Sequence, residues 1–360
     1  MKKRIDLVFE IMIIFLFFLS IGIYTYKIIT SNVSYDISQS YGPFLLIPVY
    51  TILLVVILIG LIILLKLLVR YQSNHDLVGV TIKIRNFYAN KKGLKIGTII
   101  GVIILIFIGI IATFQDTFLY YPTHISSGER TLMESPEFTK INIPDGNKNY
   151  SGWAKISEEN LFTIIYFGGN AEASAVTFFY RFQEEVDDFE YANFIMVDYP
   201  GFGLSDGKPS EKSLKHMSLL TYDYIVSLDK INNTKIIVMG FSLGTGLATY
   251  VAANRDVDQL ILIAPYSSMI DVVNSKIPIF YGPIKYLWRS EFNTMKLLPD
   301  IKCNTLIIYS NDDMMIRPKF SKKVLENIDH AESIIADGLG HNELLNNEEI
   351  LKQIKTFIFQ

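Results

Sequence analysis

Four consecutive apolar residues, Ile236-Ile237-Val238-Met239, run directly into Gly240-Phe241-Ser242-Leu243-Gly244 and then into a helical pattern over Leu243–Asn254. A strand that is apolar on every residue has to be covered on both faces. A strand followed at once by a helix belongs to an alternating β/α chain, whose sheet is mostly parallel. The glycines on either side of Ser242 suit a turn so tight that its neighbours must lack side chains. This one segment therefore points to a layered α/β domain whose reactive groups sit on loops beyond the strand C-termini.

The rest of residues 118–360 repeats the alternation. Strands are predicted over Phe138–Ile143, Tyr150–Ile156, Thr163–Phe167, Asn193–Asp198, Lys235–Gly240, Gln259–Ala264, Thr305–Tyr309 and Ser333–Ala336. Helices are predicted over Ala171–Val186, Ser210–Leu228, Leu243–Asn254, Pro318–Asn327 and Asn347–Phe359. An insert from about 267 to 301 is rich in apolar and aromatic residues, among them Ile284, Tyr286, Leu287 and Trp288. It reads equally as a cap lining an acyl pocket or leaning on a bilayer, and as ordinary core packing.

Residues 1–117 have a different character. Apolar runs cover about 7–29, 44–69 and 96–114, each near the roughly 20 residues that span a bilayer. The third contains no charged residue, which a buried soluble helix rarely sustains on every face. Only 19% of the whole chain is charged, below the roughly 25% usual for soluble domains. The first run is too long for a leader peptide, and no A-x-A site follows it. The reading is therefore a three-span membrane domain ahead of a catalytic domain at 118–360. Lys2, Lys3 and Arg4 precede the first run, Thr30–Pro43 holds no Lys or Arg, and Arg70, Lys83, Arg85, Lys91, Lys92 and Lys95 lie between the second and third. The positive-inside rule then predicts a cytoplasmic N-terminus and an extracytoplasmic catalytic domain.

Ser242 is the candidate nucleophile, presented at the end of a strand with a helix N-terminus behind it to favour developing negative charge. A serine needs a base, and the base needs an orienting acid. After Ser242 the histidines are His330 and His341. His341 follows the strand at 333–336 in Gly338-Leu339-Gly340-His341, whereas His330 precedes that strand. His341 is the candidate base. His75, His124 and His330 read as solvated side chains. The acid belongs after Thr305–Tyr309, where Asp312 and Asp313 are adjacent. Asp313 is favoured because Ile316, three residues on, is placed to anchor the loop in the core, and Asp312 then caps a turn or is solvated. Two backbone N–H groups must hold an oxyanion. Leu243 is the first candidate, and Asn170 in Gly168-Gly169-Asn170-Ala171 is the second. Asp198 precedes the serine and reads as structural.

Several classes are excluded. Cys303 is the single cysteine, so no internal disulfide or Cys-rich metal site is expected. Neither phosphate-loop pattern, G-x-x-x-x-G-K-[ST] nor G-x-G-x-x-G, occurs. Residues 118–360 carry 22 Lys/Arg against 31 Asp/Glu, which argues against nucleic acid. No metal or organic cofactor is expected.

Taken together, Val197–Ser210, Tyr120-Tyr121-Pro122, Phe167–Ala171, Ala264–Ser268, Ser310–Ile316 and Gly340-His341-Asn342 resemble the α/β-hydrolase superfamily, and within it the Bem-type branch of abhydrolase-domain serine hydrolases. The resemblance implies a Ser242–Asp313–His341 triad with no cofactor. Gly168 stands where the family commonly has His, Pro200 where it often has Arg, and three membrane runs exceed the one usual in the family. Hydrolysis of lysophospholipids, monoacylglycerols and acyl-protein thioesters all occur there, so an acyl-chain ester or thioester is the expected substrate and a lipid bilayer the expected surroundings. A peptidase of the same fold, and a catalytically silent membrane binding protein, are the alternatives.

Overall fold

The computed structural model describes residues 138–157, 159–177, 189–276, 280–329 and 331–360, together with 97–98, 101–102, 109, 113–117 and 119–125. The chain divides between Phe107 and Ile108, and the architecture below is that of the second unit. The first two apolar runs lie outside the described residues, as does most of the third. Among the described residues no helix is long and apolar enough to cross a membrane.

Eight strands form one sheet: β1 (Thr139–Asp145), β2 (Lys148–Lys155), β3 (Phe162–Phe167), β4 (Ala192–Val197), β5 (Lys235–Phe241), β6 (Gln259–Ile263), β7 (Asn304–Tyr309) and β8 (Glu332–Ile335). Their order across the sheet is β1-β2-β4-β3-β5-β6-β7-β8. The β1–β2 and β2–β4 pairs are antiparallel, and every other pair is parallel. Each strand falls within two residues of its predicted bounds. Every residue of β3, β4 and β6 is buried, as a sheet covered on both faces requires. The edge strand β8 has no buried residue.

The helices are α1 (Glu211–Val226), α2 (Leu243–Ala252), α3 (Met269–Lys276), α4 (Pro318–Leu325) and α5 (Glu348–Ile358). Their starts follow from local chemistry. The Ser210 side chain accepts the Ser213 N–H ahead of α1, and the Asn347 side chain accepts the Ile350 N–H ahead of α5. Pro318 opens α4, where its missing N–H costs nothing. Of the helix predicted over Ala171–Val186, residues 174–177 are helical and 178–186 lie outside the described residues except as sequence. Helix α3 and a 3-10 segment at Gly282–Leu287 make up much of the 267–301 insert.

Register places the reactive loops together. Phe167 pairs with Gly240, Phe241 with Ile263, Ile263 with Ile308, and Tyr309 with Ile335. The segments that follow β3, β5, β6, β7 and β8 therefore leave one edge of the sheet side by side.

Candidate active site

Ser242 sits between β5 and α2 at φ 51°, ψ −115°. That left-handed region costs an ordinary residue about 1–3 kcal/mol and persists only where the surroundings enforce it. Here the surroundings are three glycines. A β-carbon on Gly240 would lie 2.6 Å from the Gly244 carbonyl oxygen, and one on Gly244 would lie 2.6 Å from that of Gly168. A β-carbon on Gly246, a third position that the pentapeptide pattern does not flag, would strike the Tyr266 hydroxyl. The Tyr266 hydroxyl donates to the Leu243 carbonyl at 3.1 Å, and the Ser242 N–H donates to the Ile263 carbonyl at 2.9 Å. The elbow is thus pinned to β6 and to the turn after it.

His341 Nε2 lies 2.9 Å from Ser242 Oγ, and its Nδ1 lies 2.6 Å from Asp313 Oδ2. The His341 and Asp313 side chains are 9% and 1% exposed, so both bonds are shielded from competing water. The other oxygen of Asp313 accepts the N–H groups of Met315 at 2.7 Å and Ile316 at 2.8 Å. Ile316 itself is buried, which anchors the loop as the sequence suggested. An ionised carboxylate only accepts, so the His341 Nδ1 holds the proton and Nε2 presents its lone pair to the serine hydroxyl. The imidazole stacks on the Phe241 ring with centroids 5.0 Å apart.

Asp312 takes a different part from its neighbour. Its carboxylate accepts the Gly338 N–H, and the Asn311 amide donates to the Asp337 carboxylate at 2.6 Å. His330 lies outside the described residues. His124, beside the strap described below, is exposed.

The loop after β3 is held from three sides. Glu172 accepts the Gly169 N–H at 2.9 Å and the Tyr166 hydroxyl at 3.1 Å. The Tyr199 hydroxyl donates to the Gly168 carbonyl at 2.5 Å. The Asn170 amide accepts the Tyr121 N–H at 3.1 Å and donates to the Leu119 carbonyl at 2.7 Å. Sequence reasoning missed Glu172. Its spacing, an acidic residue three positions after Gly169, was the available signal. A carboxylate also accounts for Gly168, since a β-carbon there would lie 2.7 Å from Glu172 Oε2. No protein acceptor is found among the described residues for the main-chain N–H of Asn170 or of Leu243, so both remain available to a ligand oxygen.

Asp198 is fully buried and structural. One of its oxygens accepts the Ser174 N–H at 2.6 Å and the other the Leu204 N–H at 3.1 Å. Burial raises its pKa while these two bonds oppose the rise. Among the described residues no group of His, Cys, Asp and Glu is arranged to hold a metal ion.

A strained serine on a strand-to-helix elbow, hydrogen bonded through histidine to a buried aspartate at the carboxyl edge of a mostly parallel sheet, defines the α/β hydrolases. A family model described as the alpha/beta hydrolase fold matches residues 163–285. Among solved structures, the Pyrococcus furiosus esterase Pf2001 aligns with TM-score 0.52 at 16% identity, over 66% of this chain and 95% of the esterase. Est1E from Butyrivibrio proteoclasticus, with ferulic acid bound, aligns with TM-score 0.52 at 17% identity, over 61% of this chain and 99% of Est1E. At such identities the likeness is one of fold.

In sequence the chain is similar to proteins of the ABHD and Bem groups. They include the Caenorhabditis elegans alpha/beta hydrolase domain-containing protein aho-3, 28% identical over 200 residues, 55% of this chain and 57% of that protein. Human ABHD12B is 26% identical over 219 residues, 54% of this chain and 60% of that protein. Schizosaccharomyces pombe bem46 is 28% identical over 218 residues, 54% of this chain and 70% of that protein. The chain therefore matches less than two thirds of the length of the first two.

Proposed function

We propose that this protein is a membrane-anchored serine hydrolase that cleaves an acyl ester or thioester through an acyl-enzyme. The observation that carries the reading is the continuous chain from Asp313 through His341 to Ser242, with the serine held at φ 51°. His341 Nε2 removes the Ser242 proton as Oγ attacks the substrate carbonyl carbon. The N–H groups of Leu243 and Asn170 hold the oxyanion. His341 then gives its proton to the leaving alcohol or thiol, and the acyl group stays on Oγ. A water, deprotonated by His341, attacks the ester carbonyl and releases the acid. Asp313 keeps the imidazole in the required tautomer and stabilises its charged form.

The membrane part of the proposal rests on the apolar runs at 7–29, 44–69 and 96–114, with a cytoplasmic N-terminus and an extracytoplasmic hydrolase domain. Tethering keeps the site at a bilayer and raises the local concentration of acyl-chain substrates.

Labelling intact cells with a membrane-impermeant fluorophosphonate tests both parts. Labelling that vanishes in Ser242→Ala is expected. Labelling seen only after lysis would overturn the orientation and keep the hydrolase. No labelling of folded protein in either sample would overturn the serine-hydrolase reading.

A further inference from the structure

Residues 113–117 and 119–123 form a strap between the insert and the candidate oxyanion loop. At one end, the buried Gln115 amide donates to the Leu287 carbonyl at 3.0 Å and accepts the Arg289 N–H at 2.6 Å. Asp116 accepts the Ser290 hydroxyl at 3.2 Å and the Arg289 guanidinium at 3.1 Å. The buried Tyr120 donates to Ser290 Oγ at 3.1 Å. At the other end, Leu119 and Tyr121 hold the Asn170 side chain, and the Thr123 hydroxyl donates to the Ala171 carbonyl at 2.5 Å. The strap overlaps the end of the third apolar run, at Thr113 and Phe114. From Phe114 to Leu119 is five residues, at most about 18 Å of extended chain and about 8 Å of helix.

The insert carries a cluster of uncovered apolar side chains beside that end. Tyr281 is 60% exposed, Tyr286 79%, Ile284 39% and Leu287 36%, and Phe114 on the strap is 51% exposed. These five are half of the large hydrophobic side chains that stand exposed among the described residues; four fall within Tyr281–Leu287, and Phe114 adjoins Gln115, which is bonded to Leu287, a concentration that marks an interaction surface rather than scatter. Its composition also fits one partner. Tyrosines concentrate at the headgroup level of bilayers, where the ring is apolar and the hydroxyl wet. Lys285 lies over the Tyr286 ring with its Nζ 5.0 Å from the centroid, a basic group that can reach lipid phosphates while its stem stays on the apolar patch.

We infer that this face, built from Phe114, Tyr281, Ile284, Tyr286 and Leu287, rests in the headgroup–acyl boundary of the bilayer that holds the run ending at Phe114. The inference rests on the membrane-anchored reading above and adds to it a docked orientation. The hydrolase domain does not hang free on a tether. It lies with the insert against the lipid, and the loop bearing Asn170 is held to the same strap. The substrate it fits is an acyl chain still resident in the leaflet.

The test uses the full chain in vesicles of phosphatidylcholine and phosphatidylglycerol. An environment-sensitive fluorophore is placed at Tyr286→Cys or, at the opposite edge of the sheet, at Asn254→Cys, both in a Cys303→Ser background. Doxyl-labelled lipid is expected to quench the probe at 286 and not the probe at 254. Equal quenching at the two positions in protein that floats with the vesicles would overturn the docked face and leave the anchor standing. Protein that does not float would overturn the anchor, and the docked face with it. A second readout uses Tyr286→Ser. Turnover of vesicle-embedded monoacylglycerol is expected to fall about tenfold further than turnover of a soluble short-chain ester. An equal fall on both substrates would place Tyr286 in the site itself and overturn the inference.

Discussion

The Asp312 carboxylate accepts the Gly338 N–H at 2.7 Å. This bond, with the Asn311–Asp337 bond beside it, joins the loop that carries Asp313 to the loop that carries His341. Adjacent aspartates consequently have separable effects. Asp312→Ala is expected to lower kcat about tenfold through a misplaced imidazole, with KM little changed. Asp312→Asn keeps an oxygen that can accept the Gly338 N–H and should restore most of the loss. Steady-state kinetics on a soluble ester separates the two variants.

Asp313→Asn should be far more severe. The amide would present N–H where His341 needs an acceptor, and the imidazole would be driven to the wrong tautomer. A fall in kcat of about 10⁴ at neutral pH is expected, with the melting temperature nearly preserved. Single-turnover acylation measured beside thermal melting checks both halves.

Glu172 holds the loop that presents Asn170. Glu172→Ala removes the acceptor of the Gly169 N–H and the Tyr166 hydroxyl, and should destabilise the domain by about 1–3 kcal/mol. It should also lower kcat about 10- to 100-fold by loosening one oxyanion donor. Glu172→Gln retains one acceptor oxygen and should fall between wild type and Ala in both respects.

Gly246→Ala drives a methyl group into the Tyr266 hydroxyl and should cost about 1–3 kcal/mol as overpacking. Tyr266→Phe removes the struck atom. The double variant is therefore expected to be more stable than the sum of the two single changes predicts, and urea unfolding of all four proteins measures that coupling.

Asp198→Asn replaces an oxygen that accepts a buried N–H with an amide that donates. Either Ser174 or Leu204 then loses its acceptor. A loss of about 1–3 kcal/mol is expected, seen as a lower melting temperature, with residual activity of the folded fraction close to wild type. Full stability would show that the turn after β4 has another anchor.

Much of this molecule was readable in its residues. The strands β3 to β7 are short, apolar and separated by helical patterns, and each appears where that alternation set it. The elbow glycines, Asp313 with Ile316, and His341 were legible because each sits at a fixed offset from a strand end. The strap was not. Gln115 meets Leu287 across 172 positions and Asp116 meets Ser290 across 174, and no local pattern records such pairings. Glu172 was hidden for another reason. An acidic residue at the start of a helix fits the helix dipole without any loop to hold, so its role shows only once Gly169 and Tyr166 are seen around it. Helix α3 leaves no mark in the sequence because eight residues with one buried side chain give little periodicity to detect.

The strap also bears on where this chain can be cut. A protease needs several residues of slack chain to draw into its cleft. Here Gln115 and Tyr120 are each 2% exposed and bonded into the insert, beginning one residue after the apolar run. A peptide that must leave the fold before it enters a protease cleft is a poor substrate. A cut in that stretch would also free the backbone that grips Asn170. Cut there, the domain would keep its triad and lose part of the grip on the candidate oxyanion loop.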